Sequence, residues 1–278
     1  MSAPSGTEHG ARFAFGENWA QFLSRVDRER LEAAETALTQ ALGQRDLSGQ
    51  RFLDAGSGSG LSSLAARRLD ASVHSFDFDP ASVRCTQQLR DRFFPDDPHW
   101  IVERGDVLDP RYLESLGQFD IVYSWGVLHH TGNMWQAVEN VITCVRPGGK
   151  FLISIYNDTG LSCRIWTVEK RMFVRSPRAV QIIVALAYTA LVELAFAGVR
   201  VTRGKNPFSM ERWRRRKQRR GMSMWHDNVD WLGGYPYDYA RPDEVFRFVR
   251  DRGFELQHLT TTPHNGCNEY VFMRSMVE

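Results

Sequence analysis

The stretch "LDAGSGSGLSSLA", residues 53–65, decides the fold. It opens as a strand-like apolar run and closes as a helix-like one, with Gly56, Gly58 and Gly60 between them. Glycine tolerates a left-handed backbone and lets a ligand lie against the main chain, so a strand–turn–helix junction of this kind is a place to hold a nucleotide-like group. The spacing is informative. A dinucleotide fingerprint wants its third glycine at position 61, where this chain has Leu61, so the pattern is Gly-x-Gly-x-Gly preceded by Asp54.

Working outward, short apolar runs alternate with amphipathic segments from Arg51 to about Ser154. "RFLDAG", "SVHSFDF", "HWIVERGD", "FDIVYSW" and "KFLISIY" read as strands; "LSSLAARRL", "PASVRCTQQLRDRF" and "MWQAVENVITCV" read as helices. Strict alternation argues for a parallel sheet covered on both faces. The rhythm breaks after Tyr156 for about eighty helical residues. It returns at "RPDEVFRFVRDRGF", and "ELQHLTTTP" and "NEYVFMR" read as two closing strands. Upstream, "RVDRERLEAAETALTQALG" carries helical spacing and stops at Gly43. The expected organisation is an arm and helix over 1–48, a binding core over 49–157, a helical insertion over 158–238 and the rest of the sheet over 239–278.

Three acidic or polar features stack on the glycine turn. Asp77 ends the second strand, where an acid can accept from both hydroxyls of a ribose. Asp106, in "RGDV", ends the third strand, where an acid can receive an adenine amino group. "SWGVLHH" follows the fourth strand at the open edge of the sheet. With these in hand, the chain resembles the class I S-adenosylmethionine-dependent methyltransferases. "LDAGSGSG" resembles the first motif of that family, "FDFDP" the second, "RGDV" the third and "FDIVYSWGVLHHT" the fourth, and "VRPGGKFLIS" resembles the turn and strand that follow.

The resemblance implies an α/β Rossmann-like sheet of seven strands, the last antiparallel, here with a helical insertion between the fifth strand and the last helix. It implies S-adenosyl-L-methionine as cofactor. Asp54 would orient the methionine amino group through the loop, and Gly56, Ser57, Gly58 and Gly60 would face the methionine and ribose. Asp77 would hold the ribose, Phe78 and Val107 would sandwich the adenine beside Asp106, and Ser124 and Trp125 would complete the site. In "FAFGENWAQFL", Asn18 and Trp19 fit a cofactor lid, or equally an aromatic anchor for the arm. Simpler roles are expected for two acids: Asp79, before Pro80, as a helix N-cap, and Asp120 as a strand start that steadies a neighbouring loop. A nicotinamide enzyme is the rival reading of the layout.

Methyl transfer from a sulfonium is an in-line displacement, so the protein positions the acceptor, excludes water and, for a hydroxyl, thiol or ammonium, removes a proton. Histidine suits that task near neutral pH, and His129 and His130 lie just beyond the fourth strand; either could instead fix the loop. His226, oriented by Asp227 or Asp230, is another candidate. No carboxylate and asparagine set is spaced for magnesium, so no metal is expected. "SWGV" departs from the Asn/Asp-Pro-Pro-aromatic stretch of enzymes that methylate exocyclic base amines.

"GMSMWHDNVDWLGGYPY", residues 221–237, shows neither helix nor strand period, and its aromatics Trp225, Trp231, Tyr235 and Tyr237, with Asn157 from "IYND", are read as an acceptor pocket. The competing reading is that they clamp the insertion onto the domain. "AVQIIVALAYTALVELAFAGVRV", residues 179–201, is long enough to span a bilayer, but contains Gln181 and Glu193. The leading reading is a buried cap or dimer helix, followed by a peripheral membrane contact through 179–220 that includes the basic "ERWRRRKQRRG".

The expected activity is methylation of a small-molecule acceptor, lipid-like or not, with oxygen the first choice of accepting atom and sulfur or nitrogen next. The alternative is a protein or RNA methyltransferase, or a weakly catalytic S-adenosylmethionine-binding protein, docking through the basic insertion. A net charge of only +2 does not by itself imply a nucleic-acid partner, which local basic patches could still provide, and none is expected. Four scattered cysteines and the lack of a basic-then-apolar leader point to a reduced, cytoplasmic setting, at the inner face of the membrane if the contact is peripheral.

Overall fold

The computed structural model describes residues 28–204, 206 and 224–276, with side chains over 29–204, 206 and 228–276. Asn18 and Trp19 lie outside the described residues. So do the side chains of Trp225, His226 and Asp227.

The chain begins with α1 (Arg28–Leu42) and then alternates as the periodicity predicts. The order is β1 (Arg51–Ala55), α2 (Leu61–Arg68), β2 (Ser72–Asp77), α3 (Pro80–Phe93) and β3 (Trp100–Arg104). α4 (Pro110–Leu116), β4 (Phe119–Trp125), α5 (Met134–Ile142) and β5 (Val145–Tyr156) follow. Three helices form the insertion: α6 (Leu161–Arg175), α7 (Arg178–Thr202) and α8 (Met224–Gly233). α9 (Pro242–Arg250), β6 (Phe254–Thr260) and β7 (Cys267–Arg274) close the chain.

One local device starts two of these helices. Asp79 before Pro80 and Asp109 before Pro110 sit at N-caps, their carboxylates accepting from Ala81 N (2.8 Å) and from Arg111 N (3.0 Å). Proline at the first helical position loses no hydrogen bond and arrives with a helical φ. The helix α4 was not read from the sequence: at seven residues it is too short to show a period, and its Asp-Pro start was its only signal.

The seven strands form one sheet in the order β3-β2-β1-β4-β5-β7-β6. β1 to β5 run parallel, and β7 enters antiparallel between β5 and β6, from Lys150 opposite Met273 to Tyr156 opposite Cys267. Leu53, Val122, Phe151, Ile153, Tyr270 and Phe272 are buried along its centre, as expected where helices cover both faces. Asp120 does the local work expected of it, accepting from the Arg51 N–H at 2.7 Å and pairing with Arg146 at 2.5 Å.

The described residues divide into a sheet unit, up to Ile165 and again from Tyr237, and a helical unit, Trp166–Pro236. The helical unit has a small core of Phe173, Ala185 and Leu232, flanked by Trp166, Tyr188 and Val229. Lys170 is fully buried there, its ammonium 4.2 Å from the ring centre of Trp231 and donating to the Trp231 carbonyl. Two expectations change. The stretch with no visible period holds a helix from Met224 to Gly233, which ten residues mixing tryptophans with polar and ionisable groups do not reveal as a clean stripe. The apolar α7 is not a buried cap: Ala185 is its only buried residue.

Candidate cofactor and acceptor site

The sheet order reverses direction between β1 and β4, and ligands of such sheets bind in the crevice beyond the strand ends at that point. The loop after β1 is built for that edge. Gly56 has φ +91°, and a Cβ there would lie 2.4 Å from Cγ1 of Val127, so the residue must be glycine on both counts. Gly60 caps α2 in the left-handed region at φ 78°. The turn is tied to β2, since Gly56 N and Ser57 N both donate to the Phe76 carbonyl (2.9 and 3.0 Å). The Ser57 hydroxyl lies 2.9 Å from that of Thr86.

Asp77 holds the turn from the other side. One carboxylate oxygen accepts the Gly58 N–H and the other accepts the Asp79 N–H, each at 2.9 Å. A carboxylate offers about four lone-pair positions, so roughly two are left for a vicinal pair of hydroxyls. The donor set therefore fits a ribose. Burial pushes the Asp77 carboxyl up to about 6, against the pull of the main-chain donors from Asp79 and Gly58.

Asp54 is deeper, only 2% exposed. Its carboxylate accepts from the Ser63 hydroxyl at 2.5 Å; Ser75 donates to Ser63 at 2.7 Å and the Trp100 indole N–H donates to Ser75 at 2.9 Å. Burial raises the Asp54 carboxyl to about 7; the Ser63 hydroxyl opposes the rise and the neighbouring Asp77 adds to it. This buried relay from β3 through β2 and α2 was not legible in the sequence, because Ser63, Ser75 and Trp100 share no spacing.

The adenine side is less symmetrical than expected. Phe78 exposes 45% of its surface, with the Arg104 guanidinium 5.5 Å from its ring centre, whereas Val107 is packed in the core and its carbonyl accepts from Asn140. Asp106 accepts from Leu108 N at 2.9 Å. Ser124 is buried and donates to the Ala55 carbonyl at 2.8 Å, joining β4 to the end of β1. Trp125 remains about one-third open and stacks on Tyr123.

His129 and His130 form a short 3-10 turn after β4 (Leu128–His130) and face different environments. His129 is wholly buried, its ring 4.1 Å from Tyr156 and 4.5 Å from His130. A side chain with no solvent access is ill placed to meet an acceptor. His130 is half-buried and edge-on to Tyr156 at 5.5 Å. The returning chain is laid along the same place: Asp238 N donates to the His129 carbonyl (2.9 Å), Ala240 N to the Tyr156 carbonyl (3.0 Å), and the Tyr237 ring sits 4.9 Å from Tyr156. Tyr237 is buried, which raises its phenol, and so serves as a brace more than an open wall.

Two of the residues read as pocket lining have other work. The Asn157 amide donates to the Thr262 carbonyl (2.8 Å) and its oxygen accepts from Asn268 (3.1 Å), tying β5 to the β6–β7 loop. Trp231 packs inside the helical unit, 5.1 Å from Trp166. Asp230 is half-buried and its carbonyl ends α8 by accepting from Gly234; Tyr235 follows, half-buried. Trp225, His226 and Asp227 occupy the first turn of α8.

A family model described as a methyltransferase domain matches residues 26–259. The chain is 30% identical over 124 residues to the ubiquinone biosynthesis O-methyltransferase of Methylobacterium sp. (strain 4-46), covering 42% of this chain and 45% of that one. It is 31% identical over 126 residues to the tRNA U34 carboxymethyltransferase of Methylococcus capsulatus (strain ATCC 33009 / NCIMB 11132 / Bath), covering 45% and 38%. The matches thus span less than half the length of these relatives. Among solved structures, the magnesium protoporphyrin IX methyltransferase of Synechocystis PCC 6803 with bound SAH superposes with a TM-score of 0.54 at 14% identity, covering 93% of this chain and 94% of that one. That likeness is one of fold.

Proposed function

The chain belongs to the methyltransferase-domain family, and from that premise we propose that it transfers a methyl group from S-adenosyl-L-methionine to a small-molecule acceptor, oxygen being the first choice of accepting atom. The observation that carries the reading is the pairing of Asp77 with the glycine turn. Both its oxygens are already oriented by main-chain donors, yet both keep capacity for the two hydroxyls of a ribose.

When bound, this cofactor supplies an electrophilic methyl group on a sulfonium. The residues of the chain do the rest. Asp77 accepts from the ribose hydroxyls, and the loop from Gly56 to Gly60 lies against the nucleoside. Phe78 offers its exposed face to the adenine. Asp54 anchors the start of α2, directly after the loop, through Ser63. His130, the more open of the two imidazoles, takes the acceptor proton on a ring nitrogen, and His129 with Tyr156 holds it in place. The relatives named for O-methylation support oxygen as acceptor and leave its chemical identity to experiment.

Calorimetric titration with S-adenosylmethionine, S-adenosylhomocysteine and NAD tests the first half. Saturable heat with either adenosyl compound is expected; heat with NAD alone overturns the reading. Release of S-adenosylhomocysteine across a panel of phenolic, thiol and amine acceptors tests the second half. Turnover confined to macromolecular acceptors overturns the small-molecule reading.

A further inference from the structure

Helix α7 is amphipathic the wrong way round for a helix in water. Its half-buried side chains recur at helical spacing and include the polar ones between its two ends: Gln181, Tyr188, Thr189 and Glu193. They are used inside the helical unit. The Gln181 amide donates to the Ser176 carbonyl at 3.0 Å, closing the end of α6, and the Thr189 hydroxyl accepts from Asn228 at 3.0 Å. The exposed sweep between them is apolar for some five turns, including Ile183 (64%), Leu186 (56%), Leu191 (66%) and Leu194 (69%). Of its most apolar 18-residue window, only 6% is buried, at a mean hydropathy of 2.2. α6 adds Val168 and Met172 to the exposed apolar side chains. Patches of this extent mark contact with something other than water.

Connectivity excludes a transmembrane span. β5 precedes the insertion and β7 follows it, and the two pair residue by residue in one sheet. Both ends of the insertion therefore lie on the same side of any bilayer, and a chain that crossed once at α7 would have to cross back. Among the described residues α7 alone is long and apolar enough to cross. The sequence 207–223 holds seven arginines and lysines and cannot serve as the return.

Charge separates the remaining occupants. Arg175 and Arg178 stand exposed where α7 begins, Arg203 where it ends, and Arg212, Arg214, Arg215, Arg216, Lys217, Arg219 and Arg220 follow in sequence. Two copies meeting through this face would bring Arg175, Arg178 and Arg203 of each against those of the other, whereas anionic headgroups would match them. We infer that α7 lies in the plane of an anionic membrane surface, its apolar sweep in the acyl boundary and its flanking arginines among the headgroups. A helix of 25 residues is about 37 Å long, so it lies along the surface over that distance. The inference does not depend on the identity of the acceptor.

The test is flotation of the full chain with phosphatidylcholine vesicles, with and without roughly one-third phosphatidylglycerol, alongside light scattering without lipid. Recovery with anionic vesicles at least about fivefold above neutral ones, from a monomer, is expected. The paired substitution Leu191→Glu, Leu194→Glu lowers it about tenfold, and serine at Arg214, Arg215, Arg216 and Lys217 lowers it while flattening its salt sensitivity. Both positions of the leucine pair are exposed, so an unchanged melting temperature and retained S-adenosylhomocysteine binding certify folding. Absence of flotation, a stable dimer broken by the leucine pair, or flotation untouched by both variants overturns the inference.

Discussion

Replacing Asp77 by asparagine separates the stability of the site from its function, because the two change in opposite directions. In the native protein this carboxyl is raised from 3.8 to about 6 by burial. The folded chain therefore binds its proton more tightly than the unfolded chain between those values. Stability falls as pH rises through that window, and above pH 6 the loss is complete, worth about 3 kcal/mol. Asparagine removes the ionisation cost. It keeps one carbonyl acceptor for either Gly58 N or Asp79 N and turns an NH₂ toward the other, leaving a donor unmatched at a cost of about 1–3 kcal/mol. The terms nearly cancel, so at pH 7.5 the ligand-free variant should melt within about 4 °C of the parent, at or above it. Its stability should also lose slope between pH 4 and 6. Affinity changes otherwise, since a hydrogen bond to a charged acceptor contributes about 1.5–3 kcal/mol and asparagine cannot accept from both ribose hydroxyls. S-adenosylhomocysteine should bind about 10- to 100-fold more weakly. Melting curves at pH 5 and 7.5 with calorimetric titration read both. A variant that melts far below the parent at pH 7.5 yet binds within about threefold of it would refute the reasoning.

Three further perturbations address other parts of the molecule. Gly56→Ala should destabilise by about 2 kcal/mol or more and abolish cofactor binding, through a 2.4 Å clash with Val127 and a φ of +91°; adding Val127→Gly should recover the steric share only, as read by urea unfolding. His129→Ala should lower the melting temperature, since it empties a wholly buried site against Tyr156, whereas His130→Ala should leave melting nearly unchanged and cut turnover by about 10²- to 10⁴-fold, measured as S-adenosylhomocysteine release. Burial lowers the Lys170 amine from 10.5 to about 7, so the unfolded chain binds more protons between these values and stability rises with pH across them. Lys170→Met should flatten that rise in urea melts at pH 7 and 9, and an unchanged slope would place the amine in water.

Much of the sheet was legible because its signals are local. Alternating apolar runs, Asp79 before Pro80, and the glycine turn each act over a few residues, and the structure realises them in place. The acids at strand ends were legible for the same reason, since a parallel sheet brings the ends of β1 and β2 side by side, Asp54 opposite Ser75. The contacts of Asn157 with Asn268 and of Trp231 with Trp166 were not legible, because a polar or aromatic residue near an open edge has the same appearance in sequence whatever distant residue it meets.

The order of residues alone determined that this is a doubly covered sheet with a nucleoside-sized turn after its first strand, since backbone conformation and strand period are set by neighbours in the chain. Only the tertiary structure decided which histidine is closed off, how far burial lifts Asp54 and Asp77, and which way α7 faces. Those properties depend on solvent exclusion by residues distant in sequence, and a helical period shows that α7 has two faces without showing which of them the rest of the protein covers.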